Sequence, residues 1–209
     1  MQLHSSPTSP YVRKVRILLL ETGLDAQVEQ VSRAVTPTSP NAELNADNPI
    51  GKVPALLTDD GMALYDSPVI CEYLDSLHDG TKMFPAPGPA RWRALRRQAL
   101  GDGVLDAAIL GRYETSLRPA EMLWPAWLEA QLLKVDRSLD AMQAEAAELG
   151  GTVDIGTITF ACALGYLDFR YGDMGWRGNR PDLAVWYDNF AQRPAMQATR
   201  APDADPLKS

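Results

Sequence analysis

The stretch Gly51-Lys52-Val53-Pro54-Ala55-Leu56-Leu57 constrains the fold most, because it joins a turn to a short apolar strand. Proline has no N–H for a sheet, so Pro54 belongs at the first residue of the strand or on an edge. The proline ring also pushes Val53 into an extended conformation. A cis Val53–Pro54 bond would fix the turn and present the backbone of Val53 to a ligand. Only ~5% of such bonds in folded proteins are cis, so the local sequence alone favours trans.

The next stretch, Leu64-Tyr65-Asp66-Ser67-Pro68-Val69-Ile70, predicts the end of a strand followed by the start of a helix. Asp66 and Ser67 are typical helix-start residues, and Pro68 suits the first helical position. Backbone N–H groups and the dipole at a helix N-terminus favour an anion. An extended, acidic, peptide-like ligand would suit this pair of features. The alternative is a capped helix after a hairpin, with no ligand.

Composition excludes several classes of function. The chain has 209 residues with 45% hydrophobic and 22% charged content, as in a globular protein of one large or two small domains. A net charge of −7 argues against nucleic acid as the main partner. We expect no membrane association, because no apolar run approaches the ~20 residues of a membrane span. Cys71 and Cys162 lie among apolar residues, which predicts small core residues in a reducing cytoplasm.

Residues 1–79 alternate between strand and helix patterns. Strands are predicted at residues 2–6 and 26–31, and a helix runs from Pro10 to Gly23 with Ser9 as its cap. A short helix is expected around residues 42–45. A hairpin then joins residues 54–57 and 62–64, and a further helix covers residues 67–77. This βαβαββα order predicts a mixed sheet with helices on its faces.

Residues 80–88 are rich in proline and glycine and read as a linker. Residues 89–209 show only helical patterns, at residues 91–117, 127–149, 153–169 and 181–190. The third of these is strongly apolar, with Asp154 near its start, which predicts a helix buried at the centre of the bundle. We therefore expect an α/β domain over residues 1–79 and an all-α domain over residues 89–209.

Four motifs now resemble one family. They are the run Ser6-Pro7-Thr8-Ser9-Pro10-Tyr11-Val12-Arg13-Lys14, the turn Gly51-Lys52-Val53-Pro54, the pair Asp66-Ser67, and the run from Cys162 to Arg170. In this order and spacing they resemble the bacterial cytosolic glutathione S-transferases of the serine type. The resemblance implies a thioredoxin-like N-terminal domain, a helical C-terminal domain, a homodimer and a cis bond before Pro54. It also implies glutathione as co-substrate, no metal, and detoxification of a small hydrophobic electrophile.

The resemblance assigns the thiol chemistry to the start of the first helix. Glutathione attacks as a thiolate, and a free thiol titrates near ~8.5, so a hydrogen-bond donor at the sulfur raises the reactive fraction. Matching the family pattern puts Ser9 in that role, with Arg13 one turn further on. Thr8 is adjacent and could serve instead. The alternative is that Ser9 only caps the helix.

The rest of the site also follows from the resemblance. Val53, before Pro54, would pair its backbone with the cysteinyl part of glutathione, and Asp66 and Ser67 would hold the γ-glutamyl end. Either Lys52 or Arg13 would meet the glycyl carboxylate. Either Asp102 or Asp106, one turn apart on the first long helix, would reach the γ-glutamyl amine across the dimer interface. For a second-substrate pocket between the domains, the candidates are Ile109, Arg112, Tyr113, Tyr166 and Arg170, with Trp124 and Trp176 as further aromatic residues.

Two other functions stay open from the sequence. Some proteins of this fold, such as the stringent starvation type, bind partners and do not catalyse conjugation. A glutathione-dependent disulfide reductase is the second alternative. That chemistry usually needs a nucleophilic cysteine at the start of the first helix, whereas Ser9-Pro10-Tyr11 contains none.

Overall fold

A computed structural model describes residues 1–202 and divides them into two compact units. The first unit comprises Met1–Pro85 together with Pro194–Pro202, and the second contains residues 86–193. The predicted second domain extends to residue 209, and its last seven residues lie outside the described part of the chain.

The first unit is built on a four-stranded mixed sheet. Its strands are β1 (Gln2–Ser5), β2 (Glu29–Ser32), β3 (Ala55–Leu57) and β4 (Ala63–Leu64), in the spatial order β2-β1-β3-β4. β1 is parallel to β2, whereas β3 is antiparallel to both β1 and β4. The parallel pair needs a crossover, and a helix supplies it.

Three helices follow the strands in the predicted order. They are α1 (Pro10–Thr22), α2 (Ala42–Asp47) and α3 (Ser67–Ser76), so the βαβαββα order is confirmed. α1 ends at Gly23 in the left-handed conformation, as glycine at this position predicts. The second strand begins later than predicted, because Asp25–Gln27 form a single exposed 3-10 turn between the buried side chains of Leu24 and Val28.

The second unit contains helices and no strand among its described residues. Its elements are α4 (Pro89–Ser116), α5 (Pro125–Leu149), α6 (Ile155–Arg170) and α7 (Pro181–Phe190). α6 is buried from Ile155 to Leu167 and packs against α4, which confirms the predicted central helix. The approach is close, since a Cβ on Gly156 would lie 2.7 Å from the carbonyl oxygen of Ala94. The thioredoxin-like sheet followed by a helical bundle is the predicted fold class.

The start of α6 is fixed by a reciprocal cap. Asp154 accepts a hydrogen bond from the backbone N–H of Thr157, and the Thr157 hydroxyl accepts one from the backbone N–H of Asp154. Two N–H groups that would otherwise lack helical partners are thereby satisfied. Asp154 is therefore the N-cap of α6.

A short last helix, α8 (Pro194–Ala198), was not predicted. It packs on α1, and Arg13 Nη2 donates a 3.1 Å hydrogen bond to the carbonyl oxygen of Met196. A helix of five residues is too short to be stable through its own propensity, so its packing against α1 stabilises it. Periodicity in the sequence carries no signal for such an element.

Cys71 and Cys162 are both buried and do not form a disulfide with each other, as predicted. Within residues 1–202, none of the helices combines the length and the apolar composition that crossing a membrane requires.

Candidate functional site

Strand register places three connecting segments at one end of the sheet in the first unit. His4, near the end of β1, lies opposite Ala55 at the start of β3. Leu64 at the end of β4 lies opposite Leu56 of β3. The segment leading into α1, the turn before β3 and the segment leading into α3 therefore share this end. Because α1 and α3 both begin here, two helix N-termini with positive dipole ends are grouped together.

Ser9 is the N-cap of α1. Its hydroxyl oxygen accepts a 3.3 Å hydrogen bond from the backbone N–H of Val12, and its carbonyl accepts one from Arg13. The preceding turn is closed by a bond from the Ser9 N–H to the carbonyl of Ser6. The hydroxyl of Thr8 lies 3.4 Å from the hydroxyl of Ser6. Both candidate hydroxyl groups are half-buried at the helix start.

Val53 lies just beyond both ladders of β3. Pairing with β1 begins at Ala55 and pairing with β4 begins at Leu56, so the backbone of Val53 takes part in neither. The Val53–Pro54 peptide bond is cis, as the resemblance implied, and Pro54 is buried. An extended ligand backbone can therefore pair with Val53 as an added strand would.

The turn before Val53 is held by Asn48, which is buried. Its amide nitrogen donates a 2.8 Å hydrogen bond to the carbonyl of Lys52, and its amide oxygen accepts one from the N–H of Ile50. Gly51 has a positive φ of 67°, and a Cβ there would lie 2.9 Å from the Asn45 side-chain oxygen. The turn therefore has a defined shape before any ligand binds.

Asp66 and Ser67 form the start of α3. Asp66 occupies the N-cap position but makes no side-chain cap hydrogen bond, and its carboxylate is exposed. The Tyr65–Asp66 peptide bond is cis. Ser67 is 1% exposed, and its hydroxyl makes no hydrogen bond to any residue that the structure describes. The hydroxyl is therefore available to donate a hydrogen bond to a ligand at the start of α3.

The two candidates for a carboxylate contact differ in their surroundings. Lys52 is exposed beside Val53, whereas the guanidinium of Arg13 is engaged with the C-terminal segment of the first unit. There Arg13 Nη2 bonds to Met196, and Arg13 Nε donates to the hydroxyl of Thr199 over 3.4 Å.

The second-substrate candidates lie on two packed helices of the second unit. Ile109, Arg112 and Tyr113 are spaced for one face of α4, and Tyr166 and Arg170 are spaced for one face of α6. The hydroxyl of Tyr171 donates a 2.6 Å hydrogen bond to the carbonyl of Ala108, which joins the end of α6 to this part of α4. Asp102, two turns before Ile109, is half-buried on α4.

Burial raises the pKa of the three tyrosines in this group. It raises the pKa of Tyr166 and of Tyr113 above the ordinary value, against the opposing influence of Arg170 and Arg112. It likewise raises the pKa of Tyr171 to about 12. The phenols therefore stay protonated and can donate hydrogen bonds. The hydroxyl of Tyr166, whose residue is 6% exposed, has no hydrogen-bond partner among residues 1–202.

The two tryptophan candidates occupy different environments. Trp176 is 3% exposed, and its indole nitrogen donates a 2.8 Å hydrogen bond to Asp168. Trp124 is 64% exposed as the N-cap of α5. Trp176 is thus a core residue of its unit, while Trp124 is open to solvent.

Sequence reasoning missed His4. This residue is 1% exposed, and its Nε2 lies 2.6 Å from Asp47 Oδ2. The available signal was a histidine inside a predicted strand, but its partner is 43 positions away. Among the described residues, no group of three or more His, Cys, Asp or Glu side chains is arranged to hold a metal ion.

Comparison with known proteins agrees with this geometry. Residues 3–82 match the glutathione S-transferase N-terminal domain, and residues 125–189 match the C-terminal domain. The uncharacterized GST-like protein YibF of Escherichia coli K12 is 36% identical over 207 residues, which cover 98% of this chain and 100% of that protein.

Two solved structures of glutathione transferase family members from Pseudomonas fluorescens Pf-5 are also similar. One, with bound glutathione, is 50% identical with a TM-score of 0.95 and covers 96% of this chain and 98% of that one. The other, with bound S-(propanoic acid)-glutathione, is 48% identical with a TM-score of 0.90 and covers 96% and 99%. On the strength of these matches across nearly its whole length, the chain belongs to the glutathione S-transferase family.

Proposed function

We propose that this protein is a glutathione transferase that binds reduced glutathione and activates its thiol for attack on a small electrophile. The proposal rests on the backbone of Val53 and the hydroxyl of Ser67, which are both available to a ligand. Val53 has a backbone outside both ladders, and Ser67 is a buried residue whose hydroxyl makes no hydrogen bond within residues 1–202. Both lie at the end of the sheet where two helices begin. Such a site suits an extended peptide with negatively charged groups.

The ligand contacts follow from the surroundings of each residue. Val53 pairs with the cysteinyl part of the tripeptide, and Ser67 donates to the γ-glutamyl carboxylate at the N-terminus of α3. The exposed carboxylate of Asp66 accepts from the γ-glutamyl amine. Lys52 is the better candidate for the glycyl carboxylate, because Arg13 already bonds to α8 and Thr199. Asp102 keeps its predicted role at the γ-glutamyl amine in a homodimer.

Thiol activation is assigned to Ser9, with Thr8 as the alternative. A serine hydroxyl has one proton to donate and two lone pairs to accept. Ser9 uses a lone pair for the N–H of Val12, so its proton is available for the sulfur. The N-terminus of α1 adds a favourable dipole for the thiolate. A neighbouring donor and the dipole together lower the pKa of a thiol.

The second substrate is a small hydrophobic electrophile with a carbonyl or carboxylate group. The support is the set of protonated phenols at Tyr113 and Tyr166 beside the cationic side chains of Arg112 and Arg170. The related protein that binds S-(propanoic acid)-glutathione takes a thioether with an acidic end. An adduct of this kind forms when glutathione adds to an unsaturated acid.

The first experiment separates the possible functions. Calorimetry with glutathione tests binding, and conjugation of an aryl halide and of an α,β-unsaturated acid tests transfer. A mixed disulfide as substrate tests the reductase alternative. We expect binding and conjugation, with Tyr166→Phe slowing the reaction of the acid more than that of the halide. Binding without any turnover would favour a non-catalytic binding protein, and no binding would refute the proposal.

A further inference from the structure

We propose that His4 is a positioning residue that fixes both ends of the segment presenting Val53. The proposal rests on the proposed glutathione site, since it concerns how that site is held in shape. It names a residue of β1 that contacts neither the predicted ligand groups nor the thiol. His4 would act through the turn, whose shape decides where the N–H and C=O of Val53 lie.

The two ends of this segment meet at one residue. On one side, the backbone of His4 is in register with Ala55, the first residue of β3. On the other side, His4 Nε2 lies 2.6 Å from the carboxylate of Asp47, the last residue of α2. The seven residues between Asp47 and Ala55 include the whole Asn48–Pro54 turn. His4 therefore sets the distance between the points where the turn starts and ends.

Inside the turn, Asn48 links Asp47 to Lys52. Asn48 follows Asp47 in sequence, and its side chain bonds to the carbonyl of Lys52 and to the N–H of Ile50. The carbonyl of Lys52 belongs to the peptide unit whose N–H is that of Val53. A shift at Asp47 therefore changes the direction in which the Val53 N–H points.

The hydrogen bonds around His4 select one form of its ring. Arg33 Nε donates a 3.1 Å hydrogen bond to His4 Nδ1, so Nδ1 carries a lone pair and Nε2 carries the proton that Asp47 accepts. Arg33 is held in turn by a 2.8 Å ion pair with Glu43 on α2 and by a bond from its own N–H to the carbonyl of Ser5. Both ring nitrogens of a residue that is 1% exposed are thus directed by side chains on other elements.

A purely structural histidine and a positioning histidine predict different results. Loss of a purely structural contact would lower the stability of the whole first unit. Loss of a positioning contact between His4 and Asp47 would increase local opening of the Asn48–Pro54 turn and leave the sheet unchanged. Kinetics offer a second distinction. A misplaced Val53 backbone raises the KM for glutathione, while kcat and the KM for the electrophile stay unchanged because the thiol-activating residues are untouched.

The experiment uses Asp47→Ala in the full-length chain, since Asp47 is partly exposed and its removal leaves β1 intact. Asp47→Asn is the conservative variant, because its amide oxygen still accepts from His4 Nε2. Glu43→Ala is the matched control on the same helix, removing only the exposed outer ion pair with Arg33. Glutathione affinity is measured by calorimetry, and local opening by hydrogen exchange at the amides of Ile50 and Gly51.

We expect Asp47→Ala to weaken glutathione binding about tenfold and to speed exchange at Ile50 and Gly51, with no change in the amides of β1 and β3. Asp47→Asn and Glu43→Ala should stay within about twofold of wild type. Unchanged exchange and affinity in Asp47→Ala would overturn the proposal, as would exchange that rises equally in the sheet. A wild-type protein that fails to bind glutathione would refute the proposed function instead, and that result is distinct because it appears before any substitution.

Discussion

The hydroxyl of Ser9 accepts a 3.3 Å hydrogen bond from the backbone N–H of Val12, and this bond caps the first helix. Capping uses a lone pair of the hydroxyl and leaves its proton free to donate. The sequence presented capping and thiol activation as alternatives, but the geometry is compatible with both at once. Substitutions of Ser9 should therefore separate the loss of folding stability, which comes from capping, from the loss of thiol activation.

Ser9→Ala removes the donor and the cap, whereas Ser9→Gly removes the donor and keeps an acceptable cap residue. Loss of the cap should cost about 1 kcal/mol of folding stability in Ser9→Ala and only a few tenths in Ser9→Gly. Both variants should raise the apparent thiol pKa and slow conjugation at neutral pH, by up to ~100-fold if this donor dominates. The measurement is the pH–rate profile with an aryl halide, alongside glutathione affinity, which should hardly change.

Thr8→Ala is the matched test for the neighbouring hydroxyl. If Ser9 is the donor, the pH–rate profile of Thr8→Ala should coincide with that of wild type. A profile that moves in Thr8→Ala and stays unchanged in both Ser9 variants would transfer the role to Thr8. No movement in any of the three would mean that backbone groups and the helix dipole activate the thiol.

Ser67→Ala should weaken glutathione binding by ~1.5–3 kcal/mol, because it removes a charge-assisted hydrogen bond to the γ-glutamyl carboxylate. The buried hydroxyl makes no hydrogen bond within residues 1–202, so its removal should not lower the stability of the free protein. Calorimetric titration gives the affinity, and urea unfolding gives the stability.

Ser76→Ala is the control for this substitution. Ser76 lies at the other end of the same helix, is exposed, and donates its hydroxyl to the carbonyl of Tyr73. Its loss should leave glutathione affinity unchanged. Equal affinities in wild type and Ser67→Ala would remove Ser67 from the binding site.

Local patterns were enough to predict the order of the elements. The Ser9-Pro10 start and the Gly23 end of α1, and the turn at Asp59-Asp60-Gly61, are short-range signals with a direct physical cause. The apolar run of α6 gave its central position, since a helix that is hydrophobic all round must be buried. The cis bond before Pro54 came only from the family resemblance, because local sequence favours trans.

Contacts between distant positions could not be predicted in this way. His4 and Asp47 are 43 residues apart, and neither residue type predicts a contact with the other. Arg13, one of the two candidates for the glycyl carboxylate, bonds to Met196 and Thr199, which lie more than 180 positions away in the sequence. Asp66 shows a subtler limit, because it takes the predicted N-cap position without making the cap hydrogen bond.

A homodimer is expected from the family resemblance and from Trp92, which is 69% exposed near the start of α4. Large aromatic side chains are enriched in interfaces between proteins. Sedimentation at micromolar concentration should give a mass of about twice 22.9 kDa, and Trp92→Ala should shift it toward the monomer. Trp124→Ala, at a similarly exposed residue on another helix, should not. A wild-type species of only 22.9 kDa would contradict the prediction.

The ion pairs that join Arg96 and Arg97 on α4 to Glu145 on α5 should make the stability of the fold depend on pH. Burial alone would raise the pKa of Glu145, but hydrogen bonds from Arg96 and Arg97 outweigh it and hold the pKa below its ordinary value of 4.5. The two bonds are 2.7 and 2.9 Å long, and the Arg97 side chain is 6% exposed. Folded Glu145 therefore holds its proton less tightly than the unfolded chain does. Its contribution is present above the ordinary pKa and is lost as the pH falls through the lowered one.

Glu145→Gln should accordingly lower the free energy of unfolding by about 1 kcal/mol at neutral pH, since Arg97 would keep a weaker, uncharged acceptor. The difference from wild type should shrink as the pH falls from 4.5 through the lowered pKa of folded Glu145, because below that pKa wild-type Glu145 is protonated in both states. Urea unfolding of both proteins across this range checks the prediction. Glu148→Gln is the control, because its 3.4 Å bond to Arg97 comes from a side chain that is 68% exposed, and we expect it to have little effect at any pH. A difference between Glu145→Gln and wild type that persists in acid would mean that packing, and not the charge of Glu145, holds the two helices together.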